Sequence, residues 1–266
     1  MTTKSRIEWT ESTWNPVVGC TKLSAGCKHC YAEVMARRLQ AMGVAGYEQG
    51  FKKVRTLPNR LAEPILRKKP TVYFVNSMSD LFHTQVPVAF IDQVFDTMDA
   101  ASHHTFQVLT KRADRVASYT ASRGQVPSNV WIGTSVENRR HGVPRIEHLR
   151  SVPAGVRFLS IEPLLEDVGE LDLSGIHWVI VGGESGHGAR PMKAEWVTAV
   201  LRQCADQDVK FFFKQWGAFG EDGVHRTKKA NGRVLAGRTY DAMPEYATPT
   251  TLPVRQDRRA GRSVVP

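Results

Sequence analysis

The chain has 266 residues, 41 % of them hydrophobic, and its 36 basic against 26 acidic side chains give a formal charge of +10. That length supports one sizeable core, and single α/β-barrel domains reach it. No apolar run approaches the ~18 residues of a membrane helix, and the opening MTTKSRIEWTE lacks the apolar stretch of a signal peptide, so a cytoplasmic protein with no membrane partner is expected.

In chain order, the first signature is Cys20, Cys27 and Cys30 in the run GCTKLSAGCKHCYA. A helix is predicted over Ala32–Met42, closed by Gly43. The segment Lys52–Lys69 then carries seven basic residues and one acid, Glu63, a patch suited either to phosphate backbones or to plain solvation. Short apolar, β-rich runs follow at Thr71–Val75, Phe106–Leu109, Val130–Ile132, Val156–Leu159, His177–Val181 and Val209–Phe213. Most read as continuously buried strands of a parallel sheet. Helices are predicted over Pro87–Ala101, Ala113–Ala121 and Ala194–Asp206, whereas Glu162–Gly175 is too short and too rich in Gly and Asp for a crossover helix. The alternation predicts βαβ units, hence an open α/β sheet or a barrel. One domain is expected over residues 1–220, with a C-terminal extension packed on it over 221–246. The Pro/Thr/Arg-rich end, 247–266, reads as a disordered basic tail.

Under reducing conditions, clustered cysteines favour metal binding over disulfides. Cys20, Cys27 and Cys30 supply three thiolates where a closed zinc site or a ferredoxin-type cluster takes four. Cys204, in an apolar-periodic run, reads as a core residue. Two metals fit. Zinc would need a fourth ligand, with His29, His83 or a distant histidine as candidates, while a [4Fe–4S] cluster would keep one iron open for a small chelating ligand.

Each strand also runs into a polar or glycine-rich signature. These are Asn76-Ser77-Met78-Ser79-Asp80, Thr110-Lys111-Arg112, Gly133 to Asn138, Ser160-Ile161-Glu162-Pro163, Gly182-Gly183-Glu184-Ser185-Gly186 and Lys214-Gln215-Trp216. In parallel α/β folds the C-terminal strand ends gather on one face, where active sites sit. The run from Gly182 to Gly188 lacks the lysine–Ser/Thr pair of a phosphate loop, so its glycines point to close backbone approach, best of all to a nucleoside. His103-His104 read as a helix C-terminal cap and Phe211-Phe212-Phe213 as core. Trp216 suits either packing or stacking on a base.

Cys20, Cys27 and Cys30, with the segment Cys27-Lys28-His29-Cys30-Tyr31, resemble the radical S-adenosylmethionine superfamily, although the first gap is six residues where that superfamily usually has three. More closely, the stretch from Trp9 to Pro244 resembles a phage and bacterial three-cysteine-motif family (the Gp37/Gp68-type phage proteins). The resemblance is carried by Thr13-Trp14-Asn15-Pro16, Ser77 to Phe82, Leu109 to Arg112, Ser160 to Leu165, Gly182 to Gly186 and the block Gly232-Arg233 to Asp241. It implies a partial (β/α) barrel of the radical S-adenosylmethionine type. It also implies a [4Fe–4S] cluster on Cys20, Cys27 and Cys30, S-adenosylmethionine as cofactor, and reductive cleavage to a 5′-deoxyadenosyl radical. An electron donor is then required, and the basic patch suggests a nucleotide or nucleic-acid substrate. A phage-encoded member would work in the host cytoplasm.

Chemistry assigns candidate roles on that basis. Asn76, Ser77, Ser79 or Asp80 would accept the methionyl amine, Lys111 or Arg112 would take the methionyl carboxylate, and Glu137 and Asn138 would hold ribose hydroxyls. Glu162 and Glu184 would serve as catalytic groups nearer the substrate. Two alternatives stand beside this reading: a zinc-binding module that docks on nucleic acid, and a non-catalytic iron–sulfur interaction protein.

Overall fold

The computed structural model describes residues 3–5 and 7–245. The tail expected over 247–266 lies outside the described residues. β1 (Thr3–Lys4) and β2 (Ser12–Trp14) open the chain, and β3 (Val17–Val18) pairs with β4 (Arg55–Thr56) in a small antiparallel ribbon. The main sheet continues through β5 (Val72–Val75), β6 (Thr105–Thr110), β7 (Val130–Ser135), β8 (Val156–Ile161), β9 (Trp178–Gly182) and β10 (Lys210–Gln215). Its order is β1-β2-β5-β6-β7-β8-β9-β10, antiparallel at β1 and parallel from β2 onward. The seven parallel strands curl into a half-barrel, the architecture expected from the sequence.

Helices α1 (Tyr31–Ala41), α2 (Ala62–Leu66), α3 (Val88–Ala100), α4 (Ala113–Arg123), α5 (Pro144–Arg150), α6 (Ala194–Asp206) and α7 (Lys228–Asn231) complete the described elements. The six expected strands and four expected helices all form, with ends shifted by a few residues. Sequence reading missed β2, which is three residues long and carries two hydroxyl side chains. It also missed α5, two turns set off by Pro144.

No helix forms between β8 and β9 among the described residues. Instead Gln203 of α6 and Gln207 at its C-terminal end hold that connection. Gln203 accepts the Leu171 N–H at 2.6 Å and donates to the Gly169 carbonyl, and Gln207 accepts the Leu173 N–H at 2.9 Å and donates to the Leu171 carbonyl. The side-chain amides thus satisfy backbone groups that a helix would have paired internally. His104 departs from the expected cap. It is buried, accepts the Thr71 N–H on Nδ1 at 3.1 Å and bonds the Pro64 carbonyl through Nε2, tying α2 to the start of β5.

Successive strand residues face opposite sides. Val75, Val108, Ile132, Leu159, Val181 and Phe213 pack into the outer core beneath the helices. The inner face carries Phe74, Trp131, Phe158, Trp178, Ile180 and Phe212, joined by Trp9 from the N-terminal segment. Trp9 packs 4.8 Å from the Phe74 ring and edge-on to Trp178 at 6.1 Å. The lumen is therefore floored with aromatic rings. Residues beyond β10 cover its free edge, where the Phe213 N–H donates to the Tyr240 carbonyl at 2.9 Å and Trp178 Nε1 donates to the Ala242 carbonyl.

Gly133 lies opposite Phe158 in register, and a Cβ there would sit 2.5 Å from its ring. Gly133→Ala should therefore cost about 1–3 kcal/mol by overpacking, read as a lower urea midpoint at unchanged m. Gly155→Ala, whose Cβ would meet no atom within 4 Å, is the control.

Candidate functional site

The C-terminal strand ends and the cysteine loop enclose a cavity of about 380 Å³. Cys20, Cys27 and Cys30 all line it, as free, half-buried thiols. The loop that carries them is fixed by close contacts. The Cys20 N–H donates to the Phe51 carbonyl at 2.8 Å, and Gly19 has φ +84° with its Cβ position 2.2 Å from the Lys53 carbonyl oxygen, so only glycine fits. Residues Ala25–Cys27 form a 3₁₀ turn, and Cys30 immediately precedes α1. Burial and the Asp80 charge, opposed by Arg112, raise the Cys20 pKa to about 11, so metal binding there must displace a proton.

Of the polar residues singled out in the sequence, Asn76, Ser77, Ser79, Asp80, Lys111, Arg112, Glu162 and Glu184 also line the cavity. Glu137 and Asn138 are outside its lining. Asn138 shapes a turn, accepting the His141 N–H on its side-chain oxygen at 2.9 Å. Glu137 lies beneath the cysteine loop and is fully buried. Its Oε1 accepts Lys111 Nζ at 2.5 Å and Ser24 Oγ at 2.6 Å, and its Oε2 accepts Arg145 Nη1 at 2.8 Å. A Cβ on Gly26 would come 2.5 Å from Glu137 Cγ, so the loop rests directly on this side chain. Burial pushes the Glu137 pKa up, but Lys111 and Arg145 outweigh it and hold the carboxyl below its ordinary value.

Asp80 organises the opposite wall. One oxygen accepts Thr110 Oγ1 at 2.7 Å and the Phe82 N–H, and the other accepts the Lys111 N–H and Arg112 Nη1 at 2.8 Å. With four protein donors, this carboxylate is a bracket for the ends of β5 and β6. Buried His83 accepts the Gln85 N–H on Nδ1, so its Nε2 carries the proton and donates to Thr21 Oγ1 at 2.7 Å. Both ring nitrogens are used within the protein.

Asn76 is different. It is buried at φ 61°, its Oδ1 accepts the Val17 N–H at 3.1 Å, and its Nδ2 has no hydrogen-bond partner. The group left open is a donor, suited to a carboxylate or hydroxyl oxygen rather than to an amine. Ser77 and Ser79 donate to Asn15 Oδ1 and the Val17 carbonyl, leaving oxygen lone pairs as acceptors.

On the far side, Glu162 accepts Ser160 Oγ at 3.0 Å and pairs with Lys214 Nζ at 3.0 Å. Glu184 is gripped by Arg190, whose Nη2 reaches Oε1 at 2.6 Å while its Nε and backbone N–H reach Oε2. Burial raises the Glu184 pKa, and those Arg190 bonds more than reverse it. Gly183 beside it receives its own chain: a Cβ there would lie 1.9 Å from the Trp216 carbonyl oxygen. Trp216 is packing, buried against Phe213 with Nε1 donating to the Val234 carbonyl at 2.7 Å. Trp9 and Lys228 also line the cavity, and no sequence signal marks either: one precedes the first recognised strand, the other lies where the pattern fades.

Among the described residues, no three His, Cys, Asp or Glu side chains are grouped to hold a single metal ion. A zinc ion needs its sulfurs about 2.3 Å from one centre. A cluster takes its thiolates on separate irons, and three thiols around one cavity, with the fourth cysteine remote in α6, fit that donor pattern.

The family described as protein of unknown function (DUF5131) matches residues 4–244. The chain belongs to that family. No curated protein matches it. Among solved structures, a variant of spore photoproduct lyase is similar at 14 % identity and a TM-score of 0.45, covering 69 % of this chain and 58 % of that one. A second variant, with bound AdoMet and dinucleoside spore photoproduct, gives 14 % identity and a TM-score of 0.45 over 68 % of this chain and 58 % of its own. Spore photoproduct lyase complexed with dinucleoside spore photoproduct gives 13 % and 0.41, over 76 % and 63 %. The chain thus spans 58 % of the length of the first of these lyase chains.

Because the Glu137 pKa is depressed from 4.5, its contribution to stability is complete above that value and is lost as pH falls through the folded one. Glu137→Gln should therefore lose about 3–5 kcal/mol at neutral pH by stranding buried cations. Denaturant titrations in increasingly acid buffer should show the gap to wild type closing, and a gap independent of pH would mean that the carboxylate is not ionised in the native state.

Proposed function

We propose that the protein is a radical S-adenosylmethionine enzyme acting on a nucleotide or nucleic-acid substrate. The observation that carries this reading is the set of three thiols facing a single cavity at the C-terminal mouth of a parallel half-barrel. Cys20, Cys27 and Cys30 would hold a [4Fe–4S] cluster, with S-adenosylmethionine beside it in the cavity. When bound, that pair supplies one-electron reductive cleavage of the sulfonium and hence hydrogen abstraction from a substrate.

The chain's own residues have distinct tasks. The unpartnered Asn76 Nδ2 would donate to a cofactor oxygen, while the Ser77 and Ser79 hydroxyls accept from its amine. Lys111 brings positive charge to the same wall, held in place by Glu137. Asp80 does not bind the cofactor directly; it fixes the turn that presents Lys111 and Arg112. The aromatic floor of Trp9 and Phe74 excludes water and offers flat surfaces to a base. Glu162 faces the cavity with Lys214 beside it, and this pair can hold or pass a proton at the substrate. Glu184, with both oxygens on Arg190, would position the loop between Gly183 and Gly188 against His29 instead of reacting itself.

Anaerobic reconstitution with iron and sulfide, followed by EPR of the reduced protein, tests the reading. A [4Fe–4S]⁺ signal that shifts on adding S-adenosylmethionine is expected, and Cys27→Ala should lose it. A colourless protein that takes up zinc instead would reject the proposal.

A further inference from the structure

A second cavity, of about 250 Å³, adjoins the first and shares Glu8, Lys214, Gln215 and Lys228 with it. Its remaining walls are Lys229, Gly232 and Arg233. Four of its seven lining residues are cationic and one is acidic, an imbalance that the overall charge of +10 over 266 residues does not account for. The partners of these cations matter. Lys214 pairs with Glu162 and Arg233 with Asp241, and neither acid lines this pocket; Lys228 pairs with Glu8 at 3.3 Å. Lys229 is exposed and has no ion-pair partner among the described residues, and Arg233 Nε is buried without a hydrogen-bond partner. The Arg233 guanidinium lies over the Phe212 ring, 4.8 Å from its centroid. One cation is thus pre-oriented and another is uncommitted, in a concave site that opens onto an aromatic-lined cavity.

We propose that this pocket is a phosphate subsite, built by the segment from Lys228 to Arg233 together with Lys214, and that it takes the phosphate of a nucleotide whose base and sugar enter the larger cavity. Exposed ion pairs such as Lys228–Glu8 are weak, so a phosphate competes for Lys228 at little cost. The shared wall at Lys214 and Lys228 joins the two cavities, with the aromatic rings of Trp9 and Phe74 in the larger and the cationic cluster in the smaller. This inference deepens the reading of the larger cavity as the substrate site, but it requires neither a cluster nor turnover.

The test is equilibrium binding to the full chain, by fluorescence anisotropy, of a labelled single-stranded oligothymidylate of about eight nucleotides, within the footprint usual for single-strand grooves. Salt is varied. The Lys228→Ala/Lys229→Ala variant should weaken binding several-fold and reduce the slope of log K against log salt by about 1.4, as expected for two lost phosphate contacts on a single strand. Lys229→Glu, at an exposed position, should weaken it further with an unchanged circular dichroism spectrum. Lys52→Ala/Lys53→Ala, in the other basic segment, should alter it little. Competition identifies the source of the phosphate: displacement by thymidine 5′-monophosphate but not thymidine points to a free nucleotide, and displacement only by unlabelled oligonucleotide points to a strand. No binding by the wild type, equal losses in the two double variants, or loss confined to the Lys52/Lys53 variant would each overturn the assignment. Because no step depends on iron, a negative EPR result leaves this experiment informative.

Discussion

A buried carboxylate between two cations governs the architecture of the site. Glu137 follows β7, receives Lys111 from the end of β6 and Arg145 from α5, and supports the cysteine loop through Ser24 and Gly26. With no exposure to solvent, it cannot exchange these partners for water, and losing either cation leaves uncompensated charge in a low-dielectric setting. The cysteine loop and the end of β6, remote in sequence, are therefore locked to the β7–α5 connection in one arrangement. The cysteines inherit their positions from a residue that does not touch the cavity.

The two faces of the sheet divide the remaining work. Outward side chains build an aliphatic and aromatic core under the helices, while inward ones form a floor of tryptophan and phenylalanine. Gln107 interrupts that floor between Phe74 and Trp131, and the polar groups of the site gather beyond it, where the strands end. Asp80, Glu162 and Glu184 lie above that aromatic layer with side chains at most 15 % exposed, so each ion pair is screened less than on an open surface. Their position also explains why so many of these acids are already paired. A group that must be ionised next to an apolar floor needs its cation in place before any ligand arrives.

The strands from β5 to β10 and the four longer helices were legible because their hydrophobic periods are strong and their lengths ordinary. The grouping of the three cysteines was legible because their close spacing puts them on one short loop. β2 was not legible: Ser12, Thr13 and Trp14 carry no strand signature by themselves, and only pairing with β1 and β5 makes them one. The strand-end polar residues were recognised as a group, but their division of labour was not. Asp80 and Glu184 are carboxylates following a strand, as Glu162 is, yet they are structural clamps. What separates them is which cation reaches each, and those cations come from Arg112, Arg190 and Lys214 at unrelated spacings in the chain.

Sequence alone determined the α/β class, the order of the parallel strands' apolar runs, and the presence of three thiols on one short loop. Each of these follows from local pattern, since periodicity and spacing are properties of neighbouring residues. Tertiary structure decided which polar groups stay open. It left Asn76 Nδ2 without a partner while saturating Asp80, directed the Gly183 approach to Trp216, and brought Lys228, Lys229 and Arg233 beside Lys214. Those outcomes depend on contacts between residues far apart in sequence, and a carboxylate or lysine has no local feature that announces its eventual partner.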